Sequence, residues 1–463
     1  MILLSVSLTA HAQHWWTGWS QQTGLALCLH QISSSPSQGE GDRREAVGEG
    51  DTFELYSPLQ TSEPIPVTKW SLQGDTLRLE CASIGFKTTL IKQDSLWTGT
   101  WRQGLLKESI TFHPSDTLYQ LRRPQTPLPP YRFAEETVTA NYTDSQGNDI
   151  HLEGTLSVPH GSTVRYPCLV LVSGSGQQNR DEELFMHKPF LVLADYLASR
   201  GIAVLRYDDR GVGASTGPLD SAETRLFAED AEAMFNALKT NPHVDTNRLG
   251  IGGHSEGGAI APMVAARNKA VKFVVMIAGQ GCTGLDVLLQ QNDALFRVQG
   301  LSDSLLTLRN ACMRDLFAMP AGSSQKEYQS VINRHTEGLS KTQIDSLGLG
   351  RGAAYQFKQQ MDLPWMRAFV ALDPADYLPR VKCPVLALNG SNDLQVLPHP
   401  NLDRIKALCP QASCHELQSL NHLFQHSETG SPDEYIQIEE TFAPEAMKVI
   451  ADWLLSLPQN PTK

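Results

Sequence analysis

The sequence predicts an α/β protein, a mostly parallel, doubly wound sheet with helices on both faces, preceded by a small all-β unit. Three observations predict it. From about residue 150, apolar runs of strand length alternate with helix-length segments. Strands buried on both faces, each followed by a crossover helix, imply parallel pairing. The region before residue 126 instead shows short alternating runs separated by turn residues, the antiparallel pattern. Between the two lies Arg122-Arg123-Pro124-Gln125-Thr126-Pro127-Leu128-Pro129-Pro130, which reads as a semi-rigid, extended linker.

Taken in order, Leu3 to Leu8 are mostly apolar and Ala10-His11-Ala12 has the A-x-A form of a signal cleavage site. Residues 1–12 therefore read as the end of a secretory signal whose positive region would lie upstream. The expectation is export to the periplasm or beyond; an untargeted apolar start is the alternative. Residues 13–126 form the β unit, with runs such as Thr76–Glu80, Trp97–Trp101 and Ser109–Phe112, and with Ser33–Gly50 as a loose loop.

The second unit, 131–463, opens with strands Glu136–Tyr142 and Ile150–Val158 around the turn Ser145–Asp149. The alternation follows: strand Cys168–Val172, helix Pro189–Ser199, strand Ala203–Tyr207, helix Leu226–Lys239, strand Leu249–Gly252, helix Glu256–Arg267, strand Val271–Ile277. Residues 282–380 break the rhythm with helices such as Leu285–Phe296 and Ser304–Leu316, and read as a helical cap inserted over the sheet. Strand Val385–Leu388, helix Asn401–Leu408, strand His415–Gln418 and helix Pro444–Leu457 resume it.

Composition narrows the function. The 463 residues are 41% hydrophobic and 19% charged, enough for a sizeable core. No run of about 18 apolar residues marks an internal membrane span. A net charge of −12 without a Lys/Arg block argues against nucleic acid as a partner. None of the eight cysteines forms a C-x-x-C pair, so neither a zinc site nor a redox motif is indicated. No metal or cofactor is expected. Cys168 and Cys383 read as core residues; a Cys409–Cys414 pairing stays open, as does the oligomeric state.

Gly253-His254-Ser255-Glu256-Gly257 matches G-x-S-x-G between an apolar strand and a helix of small residues. That context makes it a nucleophile elbow. A serine on so sharp a turn needs glycine neighbours, and it sits where the helix dipole favours developing negative charge. The base should lie beyond the last strand, and His422 in Ser419-Leu420-Asn421-His422-Leu423-Phe424-Gln425 does, with His426 as understudy. The acid should follow the preceding strand. Asp393, in the turn Asn389-Gly390-Ser391-Asn392-Asp393, fits and would fix the His422 tautomer. For the oxyanion, one amide should be that of Glu256. The other should come from Ser173-Gly174-Ser175-Gly176-Gln177, with Ser175 favoured and Gly176 next.

Gly174, Gly176, His187 and Trp365 are candidate substrate contacts, each with a plain structural reading beside it. The same holds for Arg180 and for Met366. Tyr207-Asp208-Asp209-Arg210-Gly211-Val212-Gly213-Ala214-Ser215-Thr216-Gly217 fails the dinucleotide fingerprint because Thr216 replaces its third glycine. It reads as a scaffold loop with ion pairs.

With these residues in place, the chain from about Gln125 onward resembles the α/β-hydrolases, and among them the bacterial EstD-type carboxylesterases, often grouped as serine aminopeptidase-like or prolyl-oligopeptidase-like. The resemblance rests on Val172–Gln177, His187-Lys188-Pro189-Phe190, Val204–Gly211, Gly253–Gly258 and Asn421–Gln425. It implies hydrolysis of short to medium acyl esters by Ser255, Asp393 and His422, without metal, on a small-molecule ester. A peptidase on short peptides, a thioesterase or sugar-ester deacetylase, and a non-catalytic binding protein are the rival expectations.

Overall fold

A computed structural model of the protein describes residues 13–20, 26–33, 51–57, 64–104, 106–119, 121–160, 165–219 and 221–458. The candidate signal, 1–12, and residues 34–50 of the expected loop lie outside them. The chain divides into two compact units, 1–122 and 123–463.

Among the described residues, the first unit is an eight-stranded antiparallel sheet. Its strands are β1 (Gln13–Trp19), β2 (Ala26–Ser33), β3 (Asp51–Tyr56), β4 (Lys69–Gln73), β5 (Thr76–Cys81), β6 (Phe86–Gln93), β7 (Leu96–Gln103) and β8 (Leu106–Ser115), in the order β3-β2-β1-β8-β7-β6-β5-β4. Alternation decides what is buried. Leu77, Leu79 and Cys81 of β5 point inward with Trp16, Leu29, Phe86, Leu90, Trp97 and Phe112, while Arg78 stays exposed.

The second unit holds an eight-stranded mixed sheet. Its strands are β9 (Phe133–Thr143), β10 (Asp149–Pro159), β11 (Tyr166–Val172), β12 (Ala203–Tyr207), β13 (Val244–His254), β14 (Val274–Ile277), β15 (Val385–Gly390) and β16 (Ser413–Leu417), in the order β16-β15-β14-β13-β11-β12-β10-β9. The run from β16 to β12 is parallel; β10 pairs antiparallel with β12 and β9. Helices α1 (Pro189–Ser199), α2 (Thr224–Ala237) and α3 (Glu256–Arg267) follow β11, β12 and β13. Helices α4 (Gly284–Val298), α5 (Asp303–Phe317), α6 (Gln325–His335), α7 (Lys341–Ser346), α8 (Ala353–Asp362) and α9 (Pro364–Val370) are inserted between β14 and β15, before α10 (Pro398–Leu408) and α11 (Pro444–Ser456).

The parallel strands alternate their side chains between two cores. Val170, Leu205, Ile251 and Met276 meet α2, α3 and α10 on one face. Leu169, Val204, Val275 and Leu386 meet α1 and α11 on the other. The inserted helices close a core of their own around Cys312, Leu316, Tyr328, Ile332 and Met361. No helix among the described residues is long and apolar enough to cross a membrane.

Several expectations need correction. The proline stretch begins where the two units divide, and its first residues are bonded within the second unit. The Arg123 guanidinium donates to the carbonyls of Phe185, Ile436 and Ile438, and Gln125 bonds the backbone of Thr441 and Phe442. Strand β13 starts at Val244, five residues before the expected Leu249, because Asp245, Asn247 and Arg248 break its apolar signal. Strand β16 begins at Ser413 rather than His415. It is a half-exposed edge strand and carries little apolar pattern. All eight cysteines are free, Cys409 and Cys414 included.

Candidate active site

The site is built where β13 ends. Ser255 has φ 53° and ψ −115°, a left-handed value that costs an L-residue energy unless the surroundings enforce it. The surroundings do so sterically. A Cβ on Gly253 would lie 2.5 Å from Gly257, and a Cβ on Gly257 would lie 2.1 Å from the Val172 carbonyl oxygen. Only glycine lets the elbow close against β11. The Ser255 amide donates to Ile277 O at 2.9 Å, which ties the turn to β14.

The loop after β16 presents His422, and its folding is legible in its polar residues. Asn421 Oδ1 accepts from the amides of Leu423 and Gln425, both at 3.0 Å, and Asn421 Nδ2 donates to Gln425 Oε1. Both amide side chains are fully buried. His422 Nδ1 lies 2.9 Å from Asp393 Oδ2. Asp393 is held from the other side, its Oδ1 accepting from the amides of Gln395 (2.8 Å) and Val396 (2.9 Å). A proton on Nδ1 leaves Nε2 as the basic nitrogen of His422.

Ser255, His422, Gly174, Ser175, Glu256 and Trp365 all line one cavity of about 280 Å³, with Asp393 behind His422. No direct Ser255–His422 hydrogen bond is formed among the described residues, an arrangement common in resting sites. The apolar wall comes from Val287, Leu288, Phe369, Val396 and Leu423. Trp365 stacks on Phe369 with centroids 5.2 Å apart. It also donates from Nε1 to both oxygens of Glu256, at 2.9 and 3.0 Å. Thr224 Oγ1 adds a bond of 2.6 Å to the same carboxylate. Burial pushes the Glu256 carboxyl above its usual range, against these donors.

Two site residues escaped the sequence reading. Glu182 Oε1 accepts from the Gly174 amide at 2.6 Å and lies 3.0 Å from His254 Nδ1; His254 Nε2 donates to the His422 carbonyl at 2.9 Å. Both side chains are buried. Burial pushes the His254 imidazole down, but the Glu182 carboxylate outweighs it and holds the pKa above the ordinary histidine value. The signal for Glu182 was the charged run Arg180–Glu183 directly after the glycine loop. For His254 it was a titratable residue inside the serine motif itself.

Other candidates lie elsewhere. His187 is 1% exposed and bonds Thr441, Tyr435 and Gln425 instead of the cavity. Its buried amphipathic ring ties three segments together. Arg180 is taken by Asp208, Glu153 and Thr155. Met366 packs in the core of the inserted helices. Gly176 lines a separate small pocket beside Asp209. Burial pushes the Asp209 carboxyl up to about 8, although Ser173 and the Gln178 amide donate to it. Arg210 is fully buried between Asp144 (3.0 Å) and Asp230 (2.7 Å). No group of three or more His, Cys, Asp or Glu side chains among the described residues could hold a metal.

The chain is similar to several known proteins. Esterase EstD of Thermotoga maritima is 28% identical over 313 residues, 66% of this chain; the chain spans 64% of that relative's length. The thiohydrolase apmlB of Arthrinium phaeospermum is 38% identical over 78 residues, 17% of this chain and 25% of its own. A solved structure of the Pyrococcus furiosus esterase Pf2001 aligns with a TM-score of 0.40 at 15% identity, covering 70% of this chain and 90% of that one. The family model described as serine aminopeptidase, S33, matches residues 188–425, just over half of the sequence, and the chain belongs to that α/β-hydrolase family.

Proposed function

We propose that the protein hydrolyses neutral carboxylic esters of short to medium acyl length through an acyl-enzyme on Ser255. One observation carries the reading. A serine on a strained strand-to-helix turn shares a cavity with a histidine whose far nitrogen is bound to a buried aspartate. His422 Nε2 takes the Ser255 proton as Oγ attacks the ester carbonyl. The Ser175 and Glu256 amides receive the oxyanion, a role worth about 10²–10³ in turnover for one donor. The Gly174 amide is spent on Glu182 and does not serve. The imidazolium returns its proton to the leaving alcohol, and water activated by the same nitrogen releases the acid.

The description of the matching family model favours a second reading, an aminopeptidase. Such an enzyme needs an anion for the substrate's ammonium group. The carboxylates on this cavity are Glu182 and Glu256, and both are already hydrogen-bonded. That supports the ester reading over the peptide one. In the same reading the all-β unit and the catalytic unit are separate domains, helices 282–380 are a cap, and residues 1–12 direct export, which cell fractionation would test.

The test is initial rates on p-nitrophenyl acetate, butyrate and octanoate beside alanyl and prolyl p-nitroanilides, with Ser255→Ala as control. Ester turnover without anilide turnover is expected. Preferred anilide cleavage, or an active Ser255→Ala enzyme, overturns the reading.

A further inference from the structure

Five neighbouring strands of the first unit each bring a cation to one face of the sheet. Across β4 to β8 the residues in facing positions are Lys69, Glu80, Lys87, Arg102 and Lys107. Arg78 lies two residues before Glu80 on β5, hence on the same face, and supplies the cation that the row lacks there. Neighbouring strands are about 4.8 Å apart, so this ladder of cations runs about 19 Å across the sheet. Among the described residues, Glu80 is the one acid on this face of the five strands.

Such a face is unfavourable on its own. Lys87 stands opposite Arg102, and Arg102 opposite Lys107. Like charges in facing positions destabilise a sheet. Compensation within the chain is partial. Lys87 pairs with Glu80 at 2.6 Å, and that contact, with Lys69 and Arg102 nearby, holds the Glu80 carboxyl below its usual range. Lys69, Arg78 and Arg102 are exposed and have no acid within ion-pair distance among the described residues. The imbalance also runs against the composition, since the whole chain has 50 acids to 38 Lys and Arg.

The five cations wall one cavity of about 460 Å³, with the hydroxyls of Thr89 and Thr100 between them. The geometry limits what fills it. The ligand is anionic, because one carboxylate answers five cations. It is an extended chain, because the cations repeat from strand to strand. Carboxylates suit Arg78 and Arg102, whose planar forks bind them through paired hydrogen bonds. The threonine hydroxyls both donate and accept, as sugar hydroxyls require. Single-stranded nucleic acid is held on exposed aromatic rings. Here Trp70 and Trp101 occupy the alternate positions and pack on the core side. A flat bilayer does not enter a cavity walled by side chains. We propose that this face of the first unit binds a linear polyuronate, a sugar chain with one carboxylate on each ring, laid across the strands.

Titration calorimetry of the full chain with tetragalacturonate tests this, beside maltotetraose as a neutral chain of equal length. Saturable binding of the uronate alone is expected, and it should weaken about tenfold between about 0.01 M and 0.15 M salt. The triple variant Lys69→Gln, Arg78→Gln, Arg102→Gln should bind about thirtyfold more weakly, as three exposed charge contacts are lost together. A second triple variant, Lys269→Gln, Lys326→Gln, Lys341→Gln, removes the same charge from exposed positions of the other unit and should bind within about twofold of the parent. Thermal melts show that both variants are folded. If the first is not, Arg102→Gln alone replaces it, with an expected loss of about threefold. No uronate binding, equal binding of maltotetraose, or affinity retained in the first variant or its replacement overturns the proposal. So does tighter binding of a thymidine oligonucleotide of equal charge or of phosphatidylglycerol vesicles.

Discussion

One carboxylate oxygen of Glu182 serves two groups, accepting from the Gly174 amide and facing His254 Nδ1, while the other nitrogen of His254 reaches the His422 carbonyl. The loop after β11, the serine motif and the histidine loop are thereby joined through one buried Glu182–His254 contact. Rings of His254 and His422 stand 4.7 Å apart. Glu182→Gln keeps the shape and removes the charge. We expect kcat to fall about 10- to 100-fold with KM within about threefold, since bonds to charged groups contribute about 1.5–3 kcal/mol. Steady-state kinetics with a thermal melt of the same sample checks it.

Asp393→Asn leaves the amides of Gln395 and Val396 an acceptor but turns an NH₂ or the wrong tautomer toward His422. Turnover should drop by roughly 10⁴ with the fold retained, as is general for a triad acid. Rates on a p-nitrophenyl ester and a far-ultraviolet spectrum measure both parts.

His187 makes acid stability testable. Burial, with repulsion from Arg123, pushes its imidazole down to about 4. The unfolded value is near 6.5, so the neutral folded ring contributes fully above about pH 6.5. That contribution is lost as pH falls from 6.5 through 4, and amounts to about 3 kcal/mol over the span. Urea denaturation at pH 7.5, 5.5 and 4.0 should show a shallower acid decline in His187→Gln than in the parent.

Arg210 separates Asp144 from Asp230 with no access to water. Arg210→Met leaves two buried carboxyls facing each other and should cost about 3–5 kcal/mol. Equilibrium denaturation at pH 7 reads this directly. The fraction that remains folded should keep its ester turnover, because Arg210 does not line the cavity.

Much of this was legible in the sequence, for physical reasons that differ by element. Strands buried on both faces, such as Cys168–Val172, announce themselves by unbroken apolar runs. Ser255 announces itself because an elbow this tight admits few residue types around it. Strand β16 and the start of β13 were less legible, since edge and strand-end residues carry polar side chains without penalty. Glu182 and His254 were not legible as site residues. Glu182 meets His254 72 positions on, and His254 meets His422 168 positions on, and sequence spacing does not encode such pairs. His187 was misplaced for the same reason: Thr441 and Tyr435, which hold it, lie about 250 positions on.

The backbone of Ser255 bears on how this protein can change. At φ 53° and ψ −115° a glycine would rest with less strain than any residue carrying a Cβ. Replacement by glycine should therefore give a more stable chain than the parent, and an inert one. A search for heat-resistant variants that ignores activity would drift toward losing the proposed nucleophile, so thermal tolerance and turnover have to be screened together.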